Sequence, residues 1–307
     1  MLESFQIWFA VIPAIILFLY GIDNFSKEMQ KAIGSQFKFL LKWVTKGKFR
    51  AALFGAVITA LIQTSAATTI IAISLVNSGT ITFTQSLGII FGTNFGSVLT
   101  SQLVAFNLMQ FASLLIILGF VLSLINSKYK ILGKPIFYFG LVMFALNLIS
   151  LSIIPLKSDP NLILLLSKTS IIPIGILVGF LVTNLFQSGA VTTGLVVIFA
   201  QNGMLGLNEA LPILFGVNIG KTILSLLVSI RMDSFAKRAA VSHFLYNVIG
   251  VLITIPFIGI LISIVQTIGG NPAHQVANAH LIFSVSTTII LLIFINQFQK
   301  LIEKLIP

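Results

Sequence analysis

The chain contains no cysteine, which excludes disulfides and thiolate metal sites. Acidic residues are also scarce, 7 Asp and Glu against 18 Lys and Arg, and charged residues make up only 8% of 307 positions. A soluble globular domain carries about 25%. With 57% of the residues hydrophobic, no water-facing surface could hide the apolar excess. The composition therefore describes an all-α polytopic membrane protein. His243 and His280 have no carboxylate partner in sequence, the nearby charges being basic except for Asp233, and neither a catalytic triad nor a phosphate-cradling loop is present. These absences argue against an enzyme, and no cofactor is expected. The net charge of +11 does not point to nucleic acid, because the basic residues fall in short segments between apolar runs. That distribution is the positive-inside bias of a membrane protein. The first apolar run follows Glu3 and lacks a basic leader and a small-residue cleavage site, so it reads as a retained span.

What is present is an internal repeat. TALIQTSAATT (residues 59–69), continued by FGTNFG (91–96), matches TNLFQSGAVTT (183–193), continued by FGVNIG (215–220). A constant offset of 124 residues pairs Gly55 with Gly179, Thr59 with Thr183, Gln63 with Gln187, Thr68 with Thr192 and Thr69 with Thr193. The same offset pairs Gly79 with Gly203, Gly92 with Gly216, Asn94 with Asn218 and Gly96 with Gly220. Apolar composition alone does not reproduce Gln, Thr and Asn at fixed spacing.

Charge clusters set the topology. Residues 24–50 carry Lys27, Lys31, Lys38, Lys42, Lys46, Lys48 and Arg50, and SQFKFLLKWV within them alternates basic and apolar as an interfacial helix does. No charged residue follows until Lys128, Lys130 and Lys134. If residues 51–76 crossed the membrane once, the second basic cluster would lie outside. If they enter, turn near residues 63–65 and leave on the same side, both clusters are cytoplasmic, as the bias demands. The expected architecture is thus an inverted-repeat transporter with two re-entrant helical hairpins and about seven full spans. Residues 1–127 hold a span, a cytoplasmic interfacial segment, the hairpin 51–77 and two spans. Residues 128–265 repeat this order, inverted, with the hairpin at 171–200, and 266–307 add a final span and a short cytoplasmic tail. Each unit crosses three times, an odd number, so the second must be inverted. Broken helices meeting at the midplane of inverted repeats characterise secondary transporters.

Unwound backbone at membrane depth is tolerated only where protein or a wet cavity satisfies it. The turn at Gln63, Thr64 and Ser65 starts a helix whose free N–H groups form an anion site, and Gln187, Ser188 and Gly189 offer a second. Thr64, Ser65 and Ser188 are suitable caps. Asn94 and Asn218, flanked by glycines at expected helix breaks, are candidates for either anion or cation. Ser, Thr and Gly also serve close packing in membrane helices, which is the competing reading for each one singly.

Lys221 directly follows GVNIG, where the first copy has Ser97. An ionisable residue inside a span marks function by default. It either contacts the anion or substitutes permanently for a bound cation, and snorkelling is the bland alternative. His243 and His280 are read as hydrogen-bonding between helices rather than as a proton relay.

These residues resemble the type II sodium–phosphate cotransporter family, known by a repeated Gln-Ser-Ser-Ser motif on paired re-entrant hairpins, each followed by a Gly-Thr-Asn-Ile-Gly-Thr-like element. Here the counterparts are QTSA (63–66), QSGA (187–190), GTNFGS (92–97) and GVNIGK (216–221), while RAAVSHFLYN and ANAHLIFS are similar to the family's Ala-His-aromatic-Asn segments. The resemblance implies sodium-coupled transport of inorganic phosphate by alternating access. Phosphate would meet Gln63, Thr64, Ser65, Gln187, Ser188, Gly189, Asn94 and Asn218. Sodium would meet Thr68, Thr69, Thr93, Thr192 and Thr193. Na⁺ as the coupling ion, phosphate and membrane lipids are the implied partners, and a homo-oligomer is compatible with the sequence. A bacterial cytoplasmic membrane is the implied location, and the chain is expected to be the transport core without a PhoU-like helical domain. It departs from the motif at Ala66, Ala190, Gly189 and Lys221. The rival readings are a phosphate exporter, a carrier of another small anion, or a membrane scaffold without a transport cycle. A scaffold has no use for two polar hairpins.

Overall fold

In the computed structural model, residues 2–44, 47–106, 108–125 and 129–307 are described, with the side chains of 2–8 and 35–44 excepted. The side chains of the alternating segment 35–44, and Lys46 and Lys128 altogether, lie outside the described residues. Every regular element described is helical. The first half comprises α1 (Leu2–Val44), α2 (Lys48–Ile62), α3 (Ser65–Asn77), α4 (Phe83–Ser97), α5 (Leu99–Ala105) and α6 (Ala112–Leu124). The second half follows as α7 (Lys130–Ser152), α8 (Pro160–Ser167), α9 (Ile172–Phe186), α10 (Gly189–Gln201), α11 (Leu207–Gly220) and α12 (Ile223–Ser229). The chain closes with α13 (Ser234–Thr254), α14 (Ile258–Ile268), α15 (Pro272–Ile293) and α16 (Ile295–Leu305).

Among the described residues, six stretches are long and apolar enough to cross a bilayer: Phe9–Gly34, Phe83–Ala105, Lys130–Ser158, Leu207–Ser229, Ser234–Ile268 and Pro272–Ile293. The span expected over 109–125 is the shorter apolar helix Leu108–Leu124, about 25 Å long at 1.5 Å per residue. A seventh long stretch arises only if Pro160–Ser170 and Ile172–Phe186 are joined across a 111° bend. That bend falls where the expected interfacial piece meets the second hairpin. Leu114, Ile117, Phe120, Leu177, Leu181 and Ile260 are exposed, and in a bilayer they face hydrocarbon. The protein is a multi-pass membrane protein.

Close backbone contact organises both halves. A Cβ added at Gly92 would fall on the Ala52 carbonyl oxygen, one at Gly55 on that of Ile89, and one at Gly96 on that of Ala56. Contacts rise together in number along both helices, so α2 and α4 run parallel. A five-residue link, 78–82, joins α3 to α4, so α3 returns toward the end from which α2 began. Shifted by 124, the same contacts recur: Gly216 on Ile176, Gly179 on Ile213 and Gly220 near Phe180. The glycines of GTNFG and GVNIG therefore serve helix packing, whereas their spacing suggests close approach to a ligand. The helix breaks come just after them, at Val98 and at Lys221–Thr222.

The two ends of the molecule differ in charge. The Asp233 N–H donates to Asn77 Oδ1 at 3.2 Å, Thr84 donates to Gln299 at 2.8 Å, and Arg238 donates to the Ile306 carbonyl at 2.9 Å. These bonds gather the starts of α2, α4 and α13, the end of α3, and α16 at one end. Contacts between α1 and α7 fall in number on α7 as they rise on α1, Gly21 against Val142 and Phe25 against Phe139, so the pair is antiparallel and brings Lys130 and Lys134 to the end holding Lys27 and Lys31. At the opposite end, Asn202 donates to Ser150 at 3.0 Å and Thr169 to the Glu209 carbonyl at 3.4 Å. There α9 begins and α10 finishes.

Replacing Gly92 with Ala forces two helix backbones apart, and overpacking of this kind costs about 1–3 kcal/mol. Gly92→Ala is expected to lower the thermal midpoint in detergent. Gly259→Ala, where a Cβ meets nothing within 4 Å, should leave it unchanged. Equal midpoints for both variants would contradict the packing described.

Candidate functional site

A cavity of about 950 Å³ lies between the halves. Two turns built alike reach it. Gln63 ends α2 with φ 60°, and Gln187 ends α9 with φ 51°. Both occupy the left-handed region, which is uncommon for residues other than glycine. Each stops its helix and lets the next begin within two residues. Thr64 caps α3 by accepting the Ala67 N–H at 3.5 Å, and Ser188 caps α10 by accepting the Val191 N–H at 3.3 Å. The first N–H groups of α3 and α10, at Ser65, Ala66, Gly189 and Ala190, precede the intrahelical bonding pattern and lie on the cavity wall. Two helix N-termini thus present positive dipole ends to one space.

Gln63 is buried, donates to the Ala60 carbonyl and accepts from Thr100 Oγ1 at 2.8 Å. The equivalent of Thr100 is Leu224, and Gln187 stays exposed on the cavity wall.

Lys221 carries the charge. It is 8% exposed and donates to Asn218 Oδ1 at 2.6 Å and to Ser97 Oγ at 3.2 Å. Ser97 and Lys221 are equivalent residues of the two copies, so they meet where the copies face each other. Gly189 makes room for this arrangement, since a Cβ there would stand 3.2 Å from the Lys221 Cβ. Glycine where the first copy has Ser65 and lysine where it has Ser97 are therefore coordinated differences. A wholly buried ammonium is costly to desolvate and needs partners. No carboxylate partners it among the described residues.

Behind Lys221 the network continues. Asn218 donates to the Leu214 carbonyl at 2.9 Å and contacts His280 Nε2 at 3.3 Å, while His280 Nδ1 meets Ser101 Oγ at 3.3 Å. The corresponding set of residues repeats only part of it. His243 Nδ1 meets Ser225 Oγ at 3.3 Å, but His243 Nε2 and Asn94 Oδ1 are buried without partners. Both histidines bridge helices, as read from the sequence, and His280 also lines the cavity. The aromatic partners repeat too: Phe91 packs on Tyr246 and Phe215 on Phe283, each with centroids 5.0 Å apart.

Of the residues assigned to an anion, Gln63, Thr64, Ser65, Gln187, Ser188, Gly189 and Asn218 line the cavity, together with Lys221. Asn94 lies off it. Of those assigned to sodium, Thr193 lines the cavity. Thr68 and Thr192 back-bond to the carbonyls of Thr64 and Ser188, and Thr93 bonds to the Ile90 carbonyl. Thr69 Oγ1 is buried without a partner. Thr100, Ser97, Asn184 and the α1 residues Asp23, Lys27 and Gln30 also line the cavity without having been singled out as site residues. Thr100 was findable as a hydroxyl where the second copy has leucine. The α1 residues carried no signal beyond belonging to a basic segment.

Comparisons with known proteins place the chain in a family. The family model described as Na+/Pi-cotransporter matches residues 17–151 and 161–288. "Uncharacterized protein YqeW" of Bacillus subtilis (strain 168) is 28% identical over 298 residues, which cover 95% of this chain and 96% of that protein. "Putative inorganic phosphate export protein YjbB" of Escherichia coli (strain K12) is 24% identical over 299 residues, 96% of this chain but only 55% of that protein. "Sodium-dependent phosphate transport protein 2A" of Ovis aries is 35% identical over 88 residues, 27% of this chain and 14% of that protein. No solved structure matches. With both copies of the repeat inside the matched residues, the chain belongs to the Na+/Pi-cotransporter family.

Proposed function

We propose that the protein is a sodium-coupled carrier of inorganic phosphate across the cell membrane, working by alternating access. It is built as an inverted repeat with two re-entrant hairpins, α2–α3 and α9–α10. The observation that carries the reading is the single cavity shared by two capped helix N-termini and the Lys221 ammonium. A dipole end from each side and one fixed charge suit a small tetrahedral oxyanion. Support for re-entry comes from helix direction: α2 and α3 start and finish at the basic end, α9 and α10 at the other. Each arm is also short, 15 and 13 residues in both pairs, or about 20 Å against a hydrocarbon core of about 30 Å.

Sodium fits the oxygens left over. Asn94 Oδ1, Thr69 Oγ1 and Thr59 Oγ1 are buried, neutral and without partners, the donor type that a hard cation takes. They belong to the half without the lysine, and in the other half Thr183 Oγ1, the counterpart of Thr59, is also without a partner.

Export is the second reading. A named relative is a putative phosphate exporter, and the cavity extends to Asp23, Lys27 and Gln30 on α1 and Leu227 on α12, toward the basic end. The positive-inside bias puts that end in the cytoplasm, so this conformation receives anions from inside.

Purified protein in liposomes, with labelled phosphate and an imposed Na⁺ gradient, tests the proposal. Sodium-dependent flux is expected, and absence of both flux and phosphate binding would overturn it. Gln63→Ala and Gln187→Ala should each reduce flux to background with normal expression. The glycine variants at both positions, which keep the left-handed turn permissive but lack the amide, should fail equally. Asn218→Asp places a carboxylate against Lys221 and cancels its charge. Phosphate affinity should then fall by about tenfold or more, equivalent to about 1.4 kcal/mol, as read by binding of labelled phosphate.

A further inference from the structure

Lys221 differs in kind from a coupling ion. A mobile cation leaves with its anion and returns the carrier to neutrality, but a tethered ammonium stays behind. Its surroundings are arranged for the charged form. Ser97 spends its own proton on the Asn94 carbonyl at 2.8 Å, so its oxygen faces Lys221 as an acceptor. The Asn218 amide nitrogen is engaged by Leu214 and His280, which turns Oδ1 to Lys221. Two acceptors occupy two of the three ammonium donors, and the third remains for the cavity.

The cavity supplies no compensating negative charge. The carboxylate on its wall, Asp23, is already paired with Lys27 at 2.6 Å, and both side chains are 61% exposed. His280, bonded through both ring nitrogens, adds none. When the cavity is empty and closes, the ammonium loses its water and gains no counter-ion, which is expensive. When an oxyanion is bound, closure buries a pair instead. Alternating access therefore meets a high barrier in the empty form and a lower one in the loaded form.

We infer that the fixed charge of Lys221 makes this protein chiefly an exchanger, in which a phosphate, or another tetrahedral oxyanion, released on one side is replaced before the carrier returns. The inference rests on the reading of the cavity as a phosphate site. Net movement, including that driven by sodium, is then limited by return of the empty carrier, and anion on the far side relieves that limit.

The test uses liposomes loaded with labelled phosphate, with equal Na⁺ on both sides, and compares efflux into medium with and without unlabelled phosphate. External phosphate should accelerate wild-type efflux by roughly tenfold or more, the effect of bypassing an unpaired buried charge. Lys221→Gln, whatever its absolute rate, should bring the ratio of the two fluxes close to one, and Lys221→Arg should keep it high. Equal wild-type rates in the two media overturn the inference, as does an undiminished ratio in Lys221→Gln. If Lys221→Gln carries no flux, the wild-type ratio decides alone. Absence of phosphate flux and of phosphate binding in the wild type overturns the phosphate reading itself, so the two failures are distinguishable.

Discussion

Glycines at 55, 92 and 96, and again at 179, 216 and 220, let two pairs of parallel helices touch backbone to backbone, and the turned tips at Gln63 and Gln187 hang on that contact. A helix that stops in the middle of a membrane protein leaves N–H and C=O groups that hydrocarbon cannot satisfy. Packing α2 on α4 and α9 on α11 at backbone distance surrounds the stops with protein. The remaining polar groups open into one cavity. Without that contact, two left-handed glutamines and two exposed helix starts would have no reason to persist.

Sameness of the two halves builds the site, and their difference determines its charge. The caps, the left-handed turns and the Asn–carbonyl bonds recur at the 124-residue offset, and Phe91 and Phe215, also so related, each pack on an aromatic ring of a later helix. Lys221 interrupts the pattern. Beside it Asn218 and His280 are satisfied, whereas their counterparts Asn94 Oδ1 and His243 Nε2 are left without partners. A buried polar atom without a partner is an expense that proteins usually avoid. One copy thus has a lysine where the other has Ser97, and the Asn94 oxygen of that other copy is left without a partner. A plain duplication with serine at both positions would have no such inequality.

The helix partners of α13 and α15 extend the correspondence beyond the repeated hairpins. His243 on α13 meets Ser225 of α12, and His280 on α15 meets Ser101 of α5. Since α5 packs on α10 and α12 on α3, each half completes its wall with a helix of the other. The two tips are therefore joined through shared packing.

By itself the sequence determined the class of the protein, the repeat, and the residues at which each helix turns. Long apolar runs without charge belong in a membrane, and the basic clusters satisfy the inside bias only if residues 51–76 turn back. Gln63, Ser188 and Lys221 were legible because polar residues in such runs need a purpose. Tertiary structure decided what one-dimensional spacing does not encode. It assigned the glycines of GTNFG and GVNIG to helix packing, withdrew Asn94 from the cavity while leaving Asn218 on it, and showed that Gly189 makes room for Lys221. It brought Thr100 to Gln63 and Ser97 to Lys221, partners 37 and 124 residues away. The reason is physical: periodicity and charge report the environment of each residue, but which side chain fills a given gap depends on helices distant in sequence.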